Sequence, residues 1–220
     1  MKVVAVVAHA DDEALGCGGT LARHVAEGDS VTVVYMADGV TSRTNLDNGI
    51  EERQLASKNA QAILGIHSAY FLGLPDNRLD SLPLLDVVQP LEKIIQKLAP
   101  DQVYTHHYGD LNVDHRVTHN AVLTACRPQP GNNIKKIFSF EVMSSTEWNS
   151  PGLLPFLPNH FVDISEFIDT KMKALNAYAL EMRPSPHSRS YEHLKFLAYH
   201  HGLCVGVEAA EAFMIIRYLR

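Results

Sequence analysis

Short β-branched runs alternate along this chain with segments of helical period, and that alternation leaves little choice of fold. Val3 to Ala8 reads as a first strand, Ala14 to Glu27 as a helix closed by Gly28, and Val31 to Ala37 as a second strand ending at Asp38 and Gly39. The series continues with a helix over Ile50 to Leu64 closed by Gly65, and a weak third strand over Ala69 to Leu72. A helix over Leu84 to Leu98, stopped by Pro100, leads into a fourth strand over Gln102 to His106. Strands that return through helices pair in parallel, so the class is α/β. After a helix over His115 to Cys126 the pattern loosens. Strands are expected at Ile137 to Val142 and Phe161 to Ile164, either side of a loop around Ser150 to Pro158. A helix over Ile168 to Glu181, a polar loop over Arg183 to Ser190, a closing helix over Tyr191 to His201 and a last apolar stretch complete the chain.

A chain of 220 residues can bury about two-thirds or more of its unfolded surface in one core, so a single domain over residues 1–220 is expected. The formal charge of -6 is spread without long blocks of one sign, which argues against a nucleic-acid partner. The apolar run at the N-terminus falls far short of the roughly 20 residues of a membrane helix, and no other stretch spans a bilayer. A cytoplasmic protein is the expectation. Cys17, Cys126 and Cys204 are odd in number and widely separated, and read as reduced packing residues.

Two clusters carry chemistry. His9 stands at the carboxyl end of the first strand and is followed by Asp11, Asp12 and Glu13 at a helix start. Three acids there suit a plain helix N-terminus, whose N–H groups and dipole favour negative charge; they equally suit a bound cation, with His9 and Asp12 facing one point across a sharp turn. The second cluster, His106-His107-Tyr108-Gly109-Asp110-Leu111-Asn112-Val113-Asp114-His115, runs from the fourth strand into the next helix. In a doubly wound sheet of order 3-2-1-4-5 the first and fourth strands are neighbours, and ligands bind between their carboxyl ends. The two clusters therefore meet, and we read the meeting point as a metal site. Two histidines and a carboxylate with an open position make a catalytic rather than a structural zinc site, though spacing alone equally admits iron or manganese.

His9-Ala10-Asp11-Asp12-Glu13 followed by Asn112-Val113-Asp114-His115 resembles the LmbE-like, or PIG-L, family of zinc-dependent N-deacetylases. Further echoes are Phe71 to Arg78, Asp163-Ile164-Ser165, Tyr178 to Arg183 and Ala210 to Phe213. The resemblance implies a Rossmann-like three-layer sandwich with a mostly parallel central sheet, an amino-sugar substrate and a homo-oligomer. It also implies Zn2+ held by His9, Asp12 and His115, with Asp11 as general base. Ala10 stands where the family usually has proline. Asn112 stands where many members carry a histidine thought to stabilise the oxyanion; asparagine can donate a hydrogen bond but carries no charge, so His106 and His107 are possible substitutes. Asp114 is a candidate to orient an imidazole, or else the helix cap.

Arg43, Arg53 and Arg78 follow the second and third strands on the edge that should carry the pocket, with His106 nearby; the resemblance favours Arg53 as a substrate ligand. His187 or Arg189 could close over the site, although an exposed connector explains their loop as well. Two other readings compete. Gly16-Cys17-Gly18-Gly19 with Asp38 imitates a dinucleotide fingerprint, but His9 to Glu13 occupy the turn where the first glycine belongs and Leu21 the third glycine's place. A metal-organised sugar-binding module without catalysis would need His9, Asp12 and His115 but not Asp11.

Overall fold

The structure is a computed structural model that describes residues 1–39, 49–150, 152 and 154–220. Strand β1 (Lys2–Val7) leads into helix α1 (Asp12–Ala26), β2 (Ser30–Ala37), α2 (Gly49–Leu64), β3 (Ser68–Leu74), α3 (Leu84–Leu98), β4 (Gln102–His106) and α4 (Val113–Ala125). There follow β5 (Lys136–Phe140), β6 (His160–Asp163), α5 (Ile168–Ala177), α6 (Tyr191–Val205) and β7 (Ala210–Tyr218). The sheet order is β3-β2-β1-β4-β5-β7-β6, with β1 to β5 parallel and β7 antiparallel to both its neighbours.

The central strands are apolar on both faces because helices cover both. Val3, Ala5 and Val7 pack with Leu15, Leu21 and Leu64 of α1 and α2, while Val4 and Val6 pack with Val87, Leu91, Val122 and their neighbours from α3 and α4. Tyr104 and Phe138 continue the first layer and Val103 and Ile137 the second. This is the three-layer arrangement that the alternating pattern requires, and it leaves β1 and β4 adjacent, in register from Val3 opposite Gln102.

The last apolar stretch is β7, inserted between β5 and β6. Several expected helix boundaries move, α1 starting at Asp12 rather than Ala14. Helix α4 starts two residues early because Asn112 caps it, accepting from the Asp114 N–H at 2.8 Å. Helix α5 stops at Ala177, where Tyr178 turns its buried hydroxyl onto Glu13. Helix α6 runs on to Val205 and ends at Gly206, whose φ of 81° is the left-handed conformation glycine adopts freely.

The run from Gly16 to Gly19 lies inside α1, kinked at Cys17 (φ -146°). A Cβ on Gly16 would sit 2.2 Å from the Phe140 ring and one on Gly19 2.8 Å from Ile164, so these glycines serve close packing of helix on sheet rather than a phosphate. Glu211 repairs the kink, accepting from the N–H groups of Gly19 at 3.0 Å and Thr20 at 2.7 Å, while buried Lys171 donates to Glu211 at 2.6 Å and to the Leu15 carbonyl at 2.8 Å. Cys17 and Cys126 are buried and Cys204 exposed, all with free thiols. Among the described residues no helix is long and apolar enough to cross a membrane.

Candidate metal centre and catalytic cavity

β1 carries His9 out of the sheet and β4 delivers the segment that ends at His115, so both histidines arrive at the switch point between the two strands. Ligand atoms of His9, Asp12 and His115 lie within 4.8 Å of one another, and all three side chains are buried. Asp12 Oδ2 is the hub: it stands 3.3 Å from His9 Nδ1 and 3.4 Å from His115 Nε2, and accepts the His9 backbone N–H at 2.9 Å. Each imidazole turns its other nitrogen to carboxylates. His9 Nε2 meets Asp114 Oδ2 and Asp76 Oδ1, each at 3.1 Å, and His115 Nδ1 meets Asp110 Oδ2 at 3.2 Å.

Carboxylate-held imidazoles converging on a further carboxylate are the pattern of metal-ligating histidines, whose outer N–H is fixed by an acceptor so that the inner nitrogen faces the ion. The titration behaviour fits the same donor set. Burial alone would lower the His115 pKa, but the charge of Asp12 and the hydrogen bond to Asp110 outweigh it and lift it to about 9. His9 is likewise raised, against burial, by Asp114, Asp12 and Asp76. Burial would raise Asp12, yet the charge of the neighbouring His115, with hydrogen bonds from His115 and His9, holds it well below the usual carboxylate range. Protons on the histidines thus balance, in the protein alone, the negative charge that a divalent cation would neutralise.

Asp11 sits beside this cluster at the N-cap of α1 with φ 132° and ψ -27°, a strained backbone for a residue with a Cβ. Strain of this kind persists only where the surroundings enforce it. Here buried Glu13 accepts the Asp11 N–H at 3.1 Å, its own carboxylate held by the Tyr178 hydroxyl and pushed up by burial to about 7. Burial raises the Asp11 carboxyl above its ordinary value, offset in part by Arg189, whose Nη1 donates to Asp11 Oδ2 at 3.1 Å.

The sequence pattern of PIG-L, GlcNAc-PI de-N-acetylase, matches residues 4–126. An Escherichia coli K12 relative, "uncharacterized deacetylase YaiS", is 34% identical over 182 residues, covering 80% of this chain and 89% of its own. The chain belongs to the PIG-L family. A second relative, the probable N-acetyl-alpha-D-glucosaminyl L-malate deacetylase 2 of Bacillus cereus, is 27% identical over 185 residues, covering 80% of this chain and 81% of its own. In fold, N,N'-diacetylchitobiose deacetylase from Pyrococcus horikoshii, solved with an inhibitor, superposes with a TM-score of 0.79 at 24% identity, over 98% of this chain and 84% of its own.

In this PIG-L chain His9, Asp11, Asp12, His115, Asn112 and Arg53 line one open cavity of about 430 Å³. Arg53 reaches it from α2, its Nε donating to the Gly39 carbonyl at 3.1 Å and its Nη1 3.0 Å from Glu181 Oε1. The Asn112 carbonyl oxygen caps α4, so its amide NH2 is the donor that side chain can offer. Asp114 orients His9, the imidazole across the cleft, rather than its chain neighbour His115, and is itself fixed by the N–H groups of Asn77 at 2.7 Å and Leu79 at 3.0 Å.

Other candidates lie elsewhere. His106 does not line the cavity: it is fully buried, stacked on His115 at 3.9 Å, and its Nε2 accepts the Ala8 N–H at 2.9 Å, so burial and His115 keep it neutral. His107 Nε2 donates to the Leu154 carbonyl at 2.8 Å, outside the cavity wall. Arg78 is exposed and also off the wall, and Arg43 lies outside the described residues. Sequence reasoning missed Asp76 and Asp110 as supports of the histidines, and Glu181 and Trp148 as parts of the wall; Arg189, offered from the sequence as a residue that could close over the site, lines it. The signal for Asp110 was its place in the dense run before His115.

Proposed function

We propose that this protein hydrolyses the acetamide of an N-acetylglucosamine-type sugar, free or conjugated, to acetate and the free amine, with Zn2+ held by His9, Asp12 and His115. The observation that carries the reading is the pairing of that donor set with Asp11, a buried, strained carboxylate in the same cavity. A site built only to bind sugar has no need of it. When bound, the metal polarises the acetamide carbonyl and lowers the pKa of a water.

The chain's own residues do the rest. Asp11 takes a proton from the attacking water and passes it to the nitrogen as the C–N bond breaks, so one carboxylate acts as base and then as acid. Arg189 fixes its Oδ2 and keeps the other oxygen for this exchange. The Asn112 amide donates to the carbonyl oxygen as negative charge gathers there. Asp114, Asp76 and Asp110 keep the two imidazoles turned inward, and Arg53 holds a substrate hydroxyl or anionic oxygen. Acetate release from N-acetylglucosamine and its conjugates, measured before and after chelator treatment and after zinc is restored, tests the reading. Release that survives complete metal removal overturns it.

A further inference from the structure

We propose that Trp148 and Leu111 form a subsite for an uncharged ring joined to the N-acetylated sugar; the inference rests on the deacetylase reading above and specifies its substrate. Both residues line the same cavity of about 430 Å³ as the metal-centre histidines. Trp148 is the only tryptophan of the chain and is 52% exposed; Leu111 is 49% exposed. Large apolar side chains left in water at a cavity wall mark the place where a ligand covers them. An indole adds a broad flat face at little conformational cost on binding.

The platform is rigid. Trp148 ends a short 3-10 turn, Thr146–Trp148, whose Thr146 hydroxyl donates to Asp110 at 2.6 Å and accepts the Val142 N–H at 2.8 Å. Ser145 also donates to Asp110, and the Asn149 amide to the Gly109 carbonyl. Asp110 is the carboxylate that holds His115, so the indole is built onto the support of the metal centre. His187 flanks it, ring planes 74° apart and centroids 5.5 Å apart.

Charge defines the occupant. The cations of the wall, Arg53 and Arg189, contact Glu181 and Asp11, whereas the wall residues next to Trp148 in sequence, Ser144 and Ser145, are neutral. A second pyranose ring suits that surface; among the described residues the arginines of the wall are already engaged by carboxylates.

The test compares kcat/KM for N,N'-diacetylchitobiose and N-acetylglucosamine in the zinc-loaded protein and in Trp148→Ala and Trp148→Phe, and reads the lone tryptophan's fluorescence as each sugar is added to the metal-free protein. The disaccharide-over-monosaccharide preference should fall about tenfold in Trp148→Ala, chiefly through KM, and largely recover in Trp148→Phe. Emission should respond to the disaccharide at lower concentration than to the monosaccharide. An unchanged preference, or emission indifferent to the disaccharide, overturns the subsite. Acetate release from neither sugar overturns the deacetylase reading itself, and the subsite with it.

Discussion

Replacing Asp110 with asparagine removes one negative charge while keeping the side chain's size and an acceptor oxygen. Asp110 accepts from the Asn112 N–H at 2.8 Å, from Thr146 Oγ1 at 2.6 Å and from the Ser145 hydroxyl, and faces His115 Nδ1 at 3.2 Å. Burial alone would raise its pKa; His115 and the hydroxyls outweigh burial and bring it from 3.8 down to about 2. That depression corresponds to roughly 2–3 kcal/mol of folding stability, present above pH 4 and lost as the pH falls towards 2. For a chain of this size the metal-free variant should melt about 4–12 °C lower at pH 7. The same substitution unfixes the outer nitrogen of His115, for which metal affinity should drop about 10–100-fold. Thermal melts of the metal-free protein and competition against a chromophoric chelator measure the two effects. A melting point and a zinc affinity both matching the wild type would refute the assignment of Asp110 as the support of His115.

Glu211→Ala leaves Lys171 charged and buried and strips the acceptor from the α1 kink. Chemical denaturation should show a loss of about 3–5 kcal/mol, and a loss under 1 kcal/mol would contradict the repair role. Zinc binding should be pH-dependent, because the proton that lifts His115 from 6.5 to about 9 must leave before its nitrogen can ligate. That raised pKa stabilises the metal-free fold below pH 6.5, and the contribution disappears as the pH rises through 9. Zinc affinity should therefore climb at least about tenfold per pH unit until near pH 9, and more steeply where His9, also raised, must lose its proton too; calorimetry showing a flat affinity across this range would exclude protonated His115 as the competitor.

How much of this was legible in the sequence follows from which forces are local. The buried parallel strands announce themselves, since β1 is apolar on both faces over Val3 to Val7, and their order places His9 and the segment before His115 at one cleft. The antiparallel β7 was seen only as an apolar stretch, because its pairing with β5 and β6 joins segments that no local period connects. Asp114 was legible as an orienting group but not its partner, since the contact to His9 spans 105 residues. His106 looked like a pocket residue from its place at the strand end; its side chain instead turns beneath the cluster to take the Ala8 N–H. Glu181 escaped as a site residue, and Asp11 as the partner of Arg189, because both contacts join segments far apart in the chain that meet only in the folded protein.

The central claim is that Asp11 makes a metal site into a hydrolytic one. It is tested most directly by measuring zinc stoichiometry and acetate release together in Asp11→Asn. The account predicts one zinc bound as in the wild type and turnover reduced by about 10²–10⁴-fold; near-normal turnover with zinc bound would contradict it.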